Sequence, residues 1–350
     1  IPVYLKEKRY SIILLDMNFG RSAKNTGQEG FQWLEKILEL DPSAVVVLIT
    51  AYGDVELAVK AIKNGATDFV LKPWDNDKLL ATLHSALRLK TSQDEASQLK
   101  SKQAGRNRIE TALALARHTG GHVTLVVDTP VDRFVAIDGM GGSLVSAEAL
   151  REVMAEDDAF AAAIDAQLAR QDVCCDVVRA ECPPVEALAA AAHLADIVVV
   201  PRQDAVAADL PLAVRGPVLA VNDDRPLGFP LGPVAIAWDG GASAAHALRA
   251  SLPLLARAAA VTVLVIESDP AGFPATDVVS YLSRHDISAE LRPLARQGSV
   301  EATLAAALAA DPVDLLVMGA YGHGRLRAFL FGGVTEHFLG SPHAPALLLA

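Results

Sequence analysis

"MGAYGHGRLRAFLFGGVTEHFL", residues 318–339, places Gly319, Gly322, Gly332 and Gly333 after an apolar run and around a helix start that carries arginine and no acidic residue. Glycine lets the backbone approach a ligand closely, and the free N–H groups at a helix start bind anions. No Gly-Lys-Ser/Thr follows, and the spacing after Gly322 is wrong for a dinucleotide fingerprint. The stretch therefore predicts a site for a nucleotide polyphosphate, although glycines after a strand also serve as plain turn residues.

The elements around this stretch alternate between buried strands and helices, a pattern typical of parallel α/β sheets. In the first hundred residues, the sequence predicts strands at 11–17, 44–50 and 68–73, and helices around 27–40, 54–64 and 76–90. Further on, it predicts strands at 122–127, 174–180, 196–201, 217–222, 233–239, 261–268, 288–295, 314–320 and 344–350. The last five strands form a complete unit, and the preceding four match it without its first strand. This internal repeat of about 120 residues predicts tandem domains.

Composition and charge exclude several classes of protein. No apolar run reaches the roughly 18 to 20 residues of a membrane span, and no basic-then-apolar secretion signal opens the sequence. The formal net charge is -11, whereas binding to a phosphate backbone needs clustered Lys and Arg. We expect a cytoplasmic protein with neither a membrane nor a nucleic acid as a direct partner.

The basic residues change type near residue 103. Through residue 100 they are ten Lys and three Arg, and after it they are one Lys and seventeen Arg. This change predicts two modules of different origin, joined at 101–105 through a polar linker helix. We assign 1–90 to the first module, 91–104 to the linker and seam, and 105–227 and 228–350 to the two repeats.

Three polar residues follow the strands of the first module. Asp16, Thr50 and Lys72 all fall at the carboxyl edge of a parallel sheet, where open α/β folds place their sites. A carboxylate there can act as a nucleophile, a hydroxyl can bind a phosphoryl oxygen, and an ammonium can pair with its charge. Each alone is commonly structural or solvated, but three in register, followed by Pro73, indicate phosphoryl chemistry.

This segment resembles the receiver domain of two-component response regulators, of the nitrogen-regulator enhancer-binding type, through "LLDMNF" and "ITAYGDVELAVKAIKNGATDFVLKPW". The resemblance implies a flavodoxin-like fold in which a sensor histidine kinase phosphorylates Asp16. Thr50 and Lys72 would bind the phosphoryl group, and Phe69 would be the aromatic switch. Asp16 and the Asn18 carbonyl would ligate Mg²⁺, and Lys72–Pro73 would be a cis peptide.

The segment departs from that family in one respect that concerns the metal. The family's acidic pair ends its first strand, and the sequence begins inside what would be the second helix. Since Mg²⁺ needs several oxygen ligands, we expect binding that is weak or lost, and impaired phosphorylation. The strand ending in Asp16 would become an exposed sheet edge, through which two chains could associate.

Residues 232–350 resemble the nucleotide-binding universal stress protein domain, an adenine-nucleotide-alpha-hydrolase-like fold. The signature G-x2-G-x9-G plus a small residue fits at Gly319, Gly322, Gly332 and Gly333. The resemblance implies ATP, with its phosphates and ribose on this loop and helix start. Gly333 stands where many members have Ser or Thr, so a hydroxyl contact with phosphate is lost.

Other residues of the second repeat complete the predicted nucleotide site. The resemblance places Asp239 near adenine or ribose and Ile266 near adenine. It also places Val334 at the helix start that binds phosphate. His323, inside the loop, either donates to phosphate or is solvated.

The first repeat, 105–227, is expected to share this fold without the site. Its fourth strand is followed by no glycine pair and by too few residues for the usual helix. The two repeats should pair as a pseudo-dimer through "APALLLA" and "GPVLAVN". Because two modules lack their first strands, we expect a composite or engineered chain, or two joined fragments.

Three functions stay open at this stage. The first is a stress or signalling protein that binds ATP in its C-terminal repeat without a demanding chemical step, fused to a partial phosphoacceptor receiver. The second is a slow ATPase or self-phosphorylating protein, against which no acidic residue is placed by motif to hold Mg²⁺ beside the loop. The third is a nucleotide-free interaction scaffold.

Overall fold

The computed structural model describes residues 10–17, 28–51, 60–128, 135–137, 143–145, 147–266, 273–320 and 333–350. The chain forms two compact units, Ile1–Lys102 and Gln103–Ala350. Both are α/β, with parallel sheets covered by helices.

The first unit contains a three-stranded parallel sheet in the order β1-β2-β3. Its strands are β1 (Ile13–Asp16), β2 (Val46–Ala51) and β3 (Asp68–Lys72), and its helices are α1 (Gln28–Leu40) and α2, which begins at Asn76. Residues 60–63 are also helical. One face of the sheet buries an apolar cluster that includes Leu34 and Leu48, and the other buries Val47 with Ala86 of α2. Helices therefore cover both faces, as a doubly wound fold requires.

Helix α2 (Asn76–Thr119) is longer than the sequence pattern predicted. The predicted helix at 76–90 and the linker helix at 91–104 form one continuous helix. The stretch 91–103 contains neither Gly nor Pro and is rich in helix-forming residues, so nothing local ends the helix. The side chains of 91–103 are exposed.

The second unit is built on a seven-stranded sheet in the order β12-β11-β10-β13-β14-β9-β8. The unit as a whole has eleven described strands, of which seven form this sheet. They are β4 (Val123–Asp128), β5 (Val135–Ile137), β6 (Ser143–Val145), β7 (Cys175–Ala180), β8 (Val198–Pro201), β9 (Val218–Val221), β10 (Pro233–Trp238), β11 (Ala260–Ile266), β12 (Ala289–Leu294), β13 (Leu315–Met318) and β14 (Ala346–Leu349). All nine strands predicted for this part of the chain are confirmed. The short antiparallel pair β5–β6 was not predicted.

The two repeats join through one antiparallel pair. β14 pairs with β9, with Leu348 opposite Leu219, whereas every other pairing in the seven-stranded sheet is parallel. The pairing predicted between "APALLLA" and "GPVLAVN" is therefore confirmed within this chain. All residues of both strands are buried, as expected where helices cover both faces of a sheet.

The helices of the second unit pack on the seven-stranded sheet and on the β4–β7 pair. They are α3 (Ala147–Leu168), α4 (Pro184–Ala191), α5 (Ala205–Ala213), α6 (Ala242–Leu255), α7 (Ala275–Ser283), α8 (Val300–Ala310) and α9 (Gly333–Gly340), with a 3-10 turn at Ala192–Leu194. Leu248 of α6 packs in one apolar cluster, and Leu210 of α5 packs with Phe338 of α9 in the other. The prediction that the segment after β8 is too short for a helix is wrong, because α5 forms there. Asp204 caps α5 by accepting a hydrogen bond from the Val206 N–H at 3.0 Å.

Of the described strands of the first repeat, only β8 and β9 belong to the large sheet. Its other long strands, β4 and β7, form a separate parallel pair. The half of α2 that follows residue 103 packs against both the β4–β7 pair and the large sheet. Leu113 lies in the apolar cluster beside β4, and Leu115 lies in the apolar cluster beside β9.

Candidate functional site

The carboxyl edge of the first unit brings together two of the predicted side chains. Leu15 faces the core at 2% exposure, and Asp16 follows it at the end of β1. The Lys72 ammonium, at the end of β3, donates a hydrogen bond to the Asp16 carboxylate. Thr50 is buried on β2, the strand between them. A carboxylate, an ammonium and a hydroxyl thus share one sheet edge, as the sequence predicted.

The other predicted residues of this edge have mixed outcomes. Phe69 is half-buried and packs against the apolar cluster that contains Leu15, and the Lys72–Pro73 peptide is cis. Asn18, the predicted second metal ligand, lies outside the described residues. Within the described ranges, no group of three or more His, Cys, Asp or Glu side chains has the arrangement of a metal site. Asp16 by itself does not supply the several oxygen ligands that Mg²⁺ requires.

The second unit presents a different site geometry, at the carboxyl end of β10. β10 lies between β11 and β13, and the chain reaches these neighbours through helices that start from this edge. The strand order reverses between β10 and β13. At the carboxyl end of the strands, such a reversal leaves a crevice between the connections, and α/β sheets bind ligands there. Asp239 immediately follows β10, and its side chain is exposed.

Asp239 also shapes the turn into α6. Its Oδ1 accepts a hydrogen bond from the Gly241 N–H at 2.7 Å. Gly240 has a φ of +79°, a conformation that favours glycine. α6 then begins at Ala242, with the unsatisfied N–H groups of a helix start. The carboxylate is thus held at the crevice by its own turn.

Gly319 is required at this edge by packing. A Cβ on Gly319 would lie 2.7 Å from the Ala244 backbone nitrogen and 2.7 Å from the Ser243 Cβ. The end of β13 therefore touches the first turn of α6 so closely that no side chain fits between them. This contact places the start of the glycine-rich loop beside the Asp239 turn.

The rest of the predicted loop divides between described and undescribed residues. Gly322, His323 and Gly332 lie outside the described residues. Gly333 begins α9, and a Cβ there would meet no described atom within 4 Å. Val334 is half-buried against the apolar cluster below it. Open space at Gly333 is compatible with a ligand at this helix start.

Ile266 ends β11, the neighbour of β10, as predicted. Its side chain is 7% exposed and lies in the same apolar cluster as Leu264 and Met318. It therefore forms the apolar floor of this edge, the kind of surface on which a planar ring can rest.

Sequence reasoning missed two residues that fix α9. The Thr335 hydroxyl donates to the Ala320 carbonyl at 2.9 Å, which ties the first turn of α9 to the end of β13. Arg202, which follows β8 in the first repeat, donates to the carbonyls of Phe338 and Leu339 at the other end of α9. A polar residue just after the motif was the only local signal for Thr335, and no local signal identified Arg202.

The comparisons with known proteins address the first unit directly. The response regulator receiver domain family matches residues 3–84. This match covers most of the first unit. The transcriptional regulatory protein ZraR of Klebsiella oxytoca is 32% identical over 140 residues, which are 40% of this chain and 29% of that protein. This chain therefore spans less than a third of that relative's length.

Two solved structures extend this comparison. The N-terminal signal receiver domain of a response regulator from Bacteroides fragilis is 48% identical, covering 25% of this chain and 66% of its own, with a TM-score of 0.22. A universal stress protein from Archaeoglobus fulgidus is 11% identical, covering 98% of this chain and 99% of its own, with a TM-score of 0.47.

Among the described helices, none is long and apolar enough to cross a membrane.

Proposed function

We propose that the chain is a signalling or stress-response protein that binds ATP in residues 228–350, a universal stress protein repeat, and is joined to a receiver domain. The observation that supports this best is the contact of Gly319 with the first turn of α6. That contact brings the start of the G-x2-G-x9-G loop to the crevice at β10, next to Asp239. The sequence motif and the crevice, which are independent features, thus meet at one place.

The chemistry of the crevice suits a nucleotide. Asp239 offers a carboxylate that can accept hydrogen bonds from ribose hydroxyls or the adenine amino group. Ile266 offers an apolar floor, and the N–H groups at the start of α9 offer donors to phosphate. No catalytic base or metal-binding group is needed for this role, so we favour nucleotide binding over hydrolysis.

Native mass spectrometry of the full chain, before and after ATP is added, tests the proposal. We expect one bound nucleotide per chain. The Asp239→Asn variant keeps the oxygen that accepts the Gly241 N–H but removes the charge, so it should bind ATP several-fold more weakly with its turn intact. Asp209→Asn, on the exposed surface of α5, is the matched control. A wild-type chain that retains no nucleotide would sink the proposal and favour the interaction scaffold.

A second candidate function concerns Asp16. We infer that Asp16 accepts a phosphoryl group from a sensor histidine kinase, because Lys72 already contacts its carboxylate. The ammonium would neutralise charge on the phosphoryl oxygens, and the Thr50 hydroxyl would donate to one of them.

Incubation with acetyl phosphate, followed by mass spectrometry, tests this candidate. We expect a phosphoryl adduct at Asp16 that Asp16→Asn abolishes. Asp68→Asn is a matched control, because Asp68 lies at the opposite end of β3. Absence of the adduct with and without Mg²⁺ would rule out the candidate, and complete labelling would contradict the expectation of impaired phosphorylation.

A further inference from the structure

Arg202 is an unusual side chain in the core of the second unit. It is 2% exposed and is among the largest fully buried residues of the described chain. Burial lowers the pKa of its guanidinium, and the negative charges of Asp224 and Asp223 oppose that shift. A buried guanidinium is costly unless its donors are satisfied, so its partners indicate why it is there.

The partners of Arg202 belong to both repeats. Its Nε donates to Asn222 Oδ1 at 2.6 Å, within the first repeat. Its Nη1 donates to the Phe338 carbonyl at 2.6 Å and to the Leu339 carbonyl at 2.9 Å, in the second. Asn222 in turn donates to the Ala344 carbonyl at 3.2 Å.

These bonds end on one particular helix. Phe338 and Leu339 lie in the last turn of α9, whose carbonyls have no partner within the helix and form the negative end of its dipole. The opposite end of α9 begins at Gly333, the predicted phosphate-binding end. At that end Thr335 ties the helix to Ala320. Arg202 and Thr335 therefore hold α9 at its two ends.

Arg202 joins the first repeat to α9 through two hydrogen bonds. Phe338 lies in one apolar cluster with Ala207 and Leu210 of α5, so α9 rests on the first repeat through apolar contacts. Apolar contacts alone tolerate sliding, whereas a forked cation bound to two carbonyls fixes a helix along its axis.

We infer that Arg202 is a positioning residue through which the first repeat sets the affinity of the second repeat for the phosphates of ATP. The inference rests on the proposed function. It assigns to the degenerate repeat a role in the site of its neighbour. Arg202 contacts no ligand itself and acts through the position of α9.

The test compares two ligands on the full chain by isothermal titration calorimetry. ATP engages the phosphate end of α9, whereas adenosine occupies only the Asp239 side of the crevice. Arg202→Met should weaken ATP binding by about tenfold and leave adenosine binding within about twofold. Arg202→Lys should fall between the two, because an ammonium cannot bond Asn222 and both carbonyls in the same fork. Arg292→Met, which removes an exposed partner of Asp311, is the matched control.

Each outcome decides the matter. If the wild-type chain binds ATP and Arg202→Met binds it equally well, the inference is overturned and the proposed function stands. Equal losses for ATP and adenosine also overturn it, since they indicate a general structural role. If the wild-type chain binds neither ligand, both the proposed function and the inference fall. Should Arg202→Met not fold, Asn222→Ala, which removes the partner of Arg202 Nε together with the bond to the Ala344 carbonyl, must show the same selective loss of ATP binding.

Discussion

The two repeats of the second unit differ in how they build the sheet. In the second repeat, β10 has a neighbour on each edge, and five strands run without interruption from β12 to β14. The described strands of the first repeat lie in three sheets: β8 and β9 belong to the large sheet, β4 pairs with β7, and β5 pairs with β6. Among the described strands, the first repeat has no counterpart of β10, which is the central strand of the five in the second repeat.

The burial of the strands differs in the same way between the two repeats. Every residue of β13 is buried, whereas no residue of β7 is. Both strands are apolar enough to be predicted from sequence, but only β13 has strands on both sides and helices on both faces. The stability of the second repeat should therefore depend on contacts that the first repeat lacks.

The largest effect is expected at Gly319, where the first repeat has Pro201, the last residue of β8, in the corresponding position. Gly319→Ala would drive a Cβ to 2.7 Å from the Ala244 backbone nitrogen. The free energy of unfolding should fall by roughly 2 to 3 kcal/mol, because backbone atoms must move. Chemical denaturation measures this loss.

Gly333→Ala is its matched control. A Cβ there meets no described atom within 4 Å, so stability should change by no more than about 0.5 kcal/mol. Equal losses at the two glycines would show that the close approach at Gly319 is not what stabilises the second repeat.

A smaller loss of stability is expected when Asp314 is replaced, and a still smaller one when its counterpart in the first repeat, Asp196, is replaced. Asp314 accepts a hydrogen bond from the Gly232 N–H at 2.8 Å, which joins the start of β13 to the start of β10. Asp196 holds the same place before β8 and is exposed. Asp314→Ala should cost about 1 to 2 kcal/mol of unfolding free energy, and Asp196→Ala less than about 0.5 kcal/mol. A comparable loss from Asp196→Ala in urea titrations would contradict the view that only the second repeat uses this acid.

A gain of affinity is expected at Gly333. Gly333→Ser adds a hydroxyl at the start of α9, into space that no described atom fills. One added hydrogen bond to phosphate should tighten ATP binding by about threefold, with adenosine binding unchanged. Calorimetry with both ligands checks this. Weaker ATP binding in Gly333→Ser would place the phosphates away from this helix start.

The smallest effect concerns pH and the first repeat. A hydrogen bond from Arg117 lowers the pKa of Asp172 below its ordinary value of 3.8. Because the folded-state pKa is depressed, the stabilisation is fully present above pH 3.8 and disappears as pH falls through the lowered value. Asp172→Asn should slightly lower Tm at pH 7, and the difference from wild type should vanish in strong acid. A difference that persists at low pH would mean that the ion pair does not stabilise the segment before β7.

Local pattern predicted much of the fold. The apolar runs and the turn residues between them indicated nine strands of the second unit, and the matching order of the last five and the preceding four indicated two related units. The ends of β1 and β3 indicated that Asp16 and Lys72 share an edge. These predictions hold because strand periodicity and the carboxyl edge of a parallel sheet depend on neighbouring residues.

Other features required the three-dimensional structure. The sequence itself determined the strands, the repeat and the residues at the sheet edge. Only the tertiary structure decided that β4 and β7 leave the large sheet, that Gly319 faces the first turn of α6, and that Arg202 bonds to Phe338, 136 residues further along the chain. The physical reason is that packing and buried hydrogen bonds join residues remote in sequence, so no local pattern records which partners they meet.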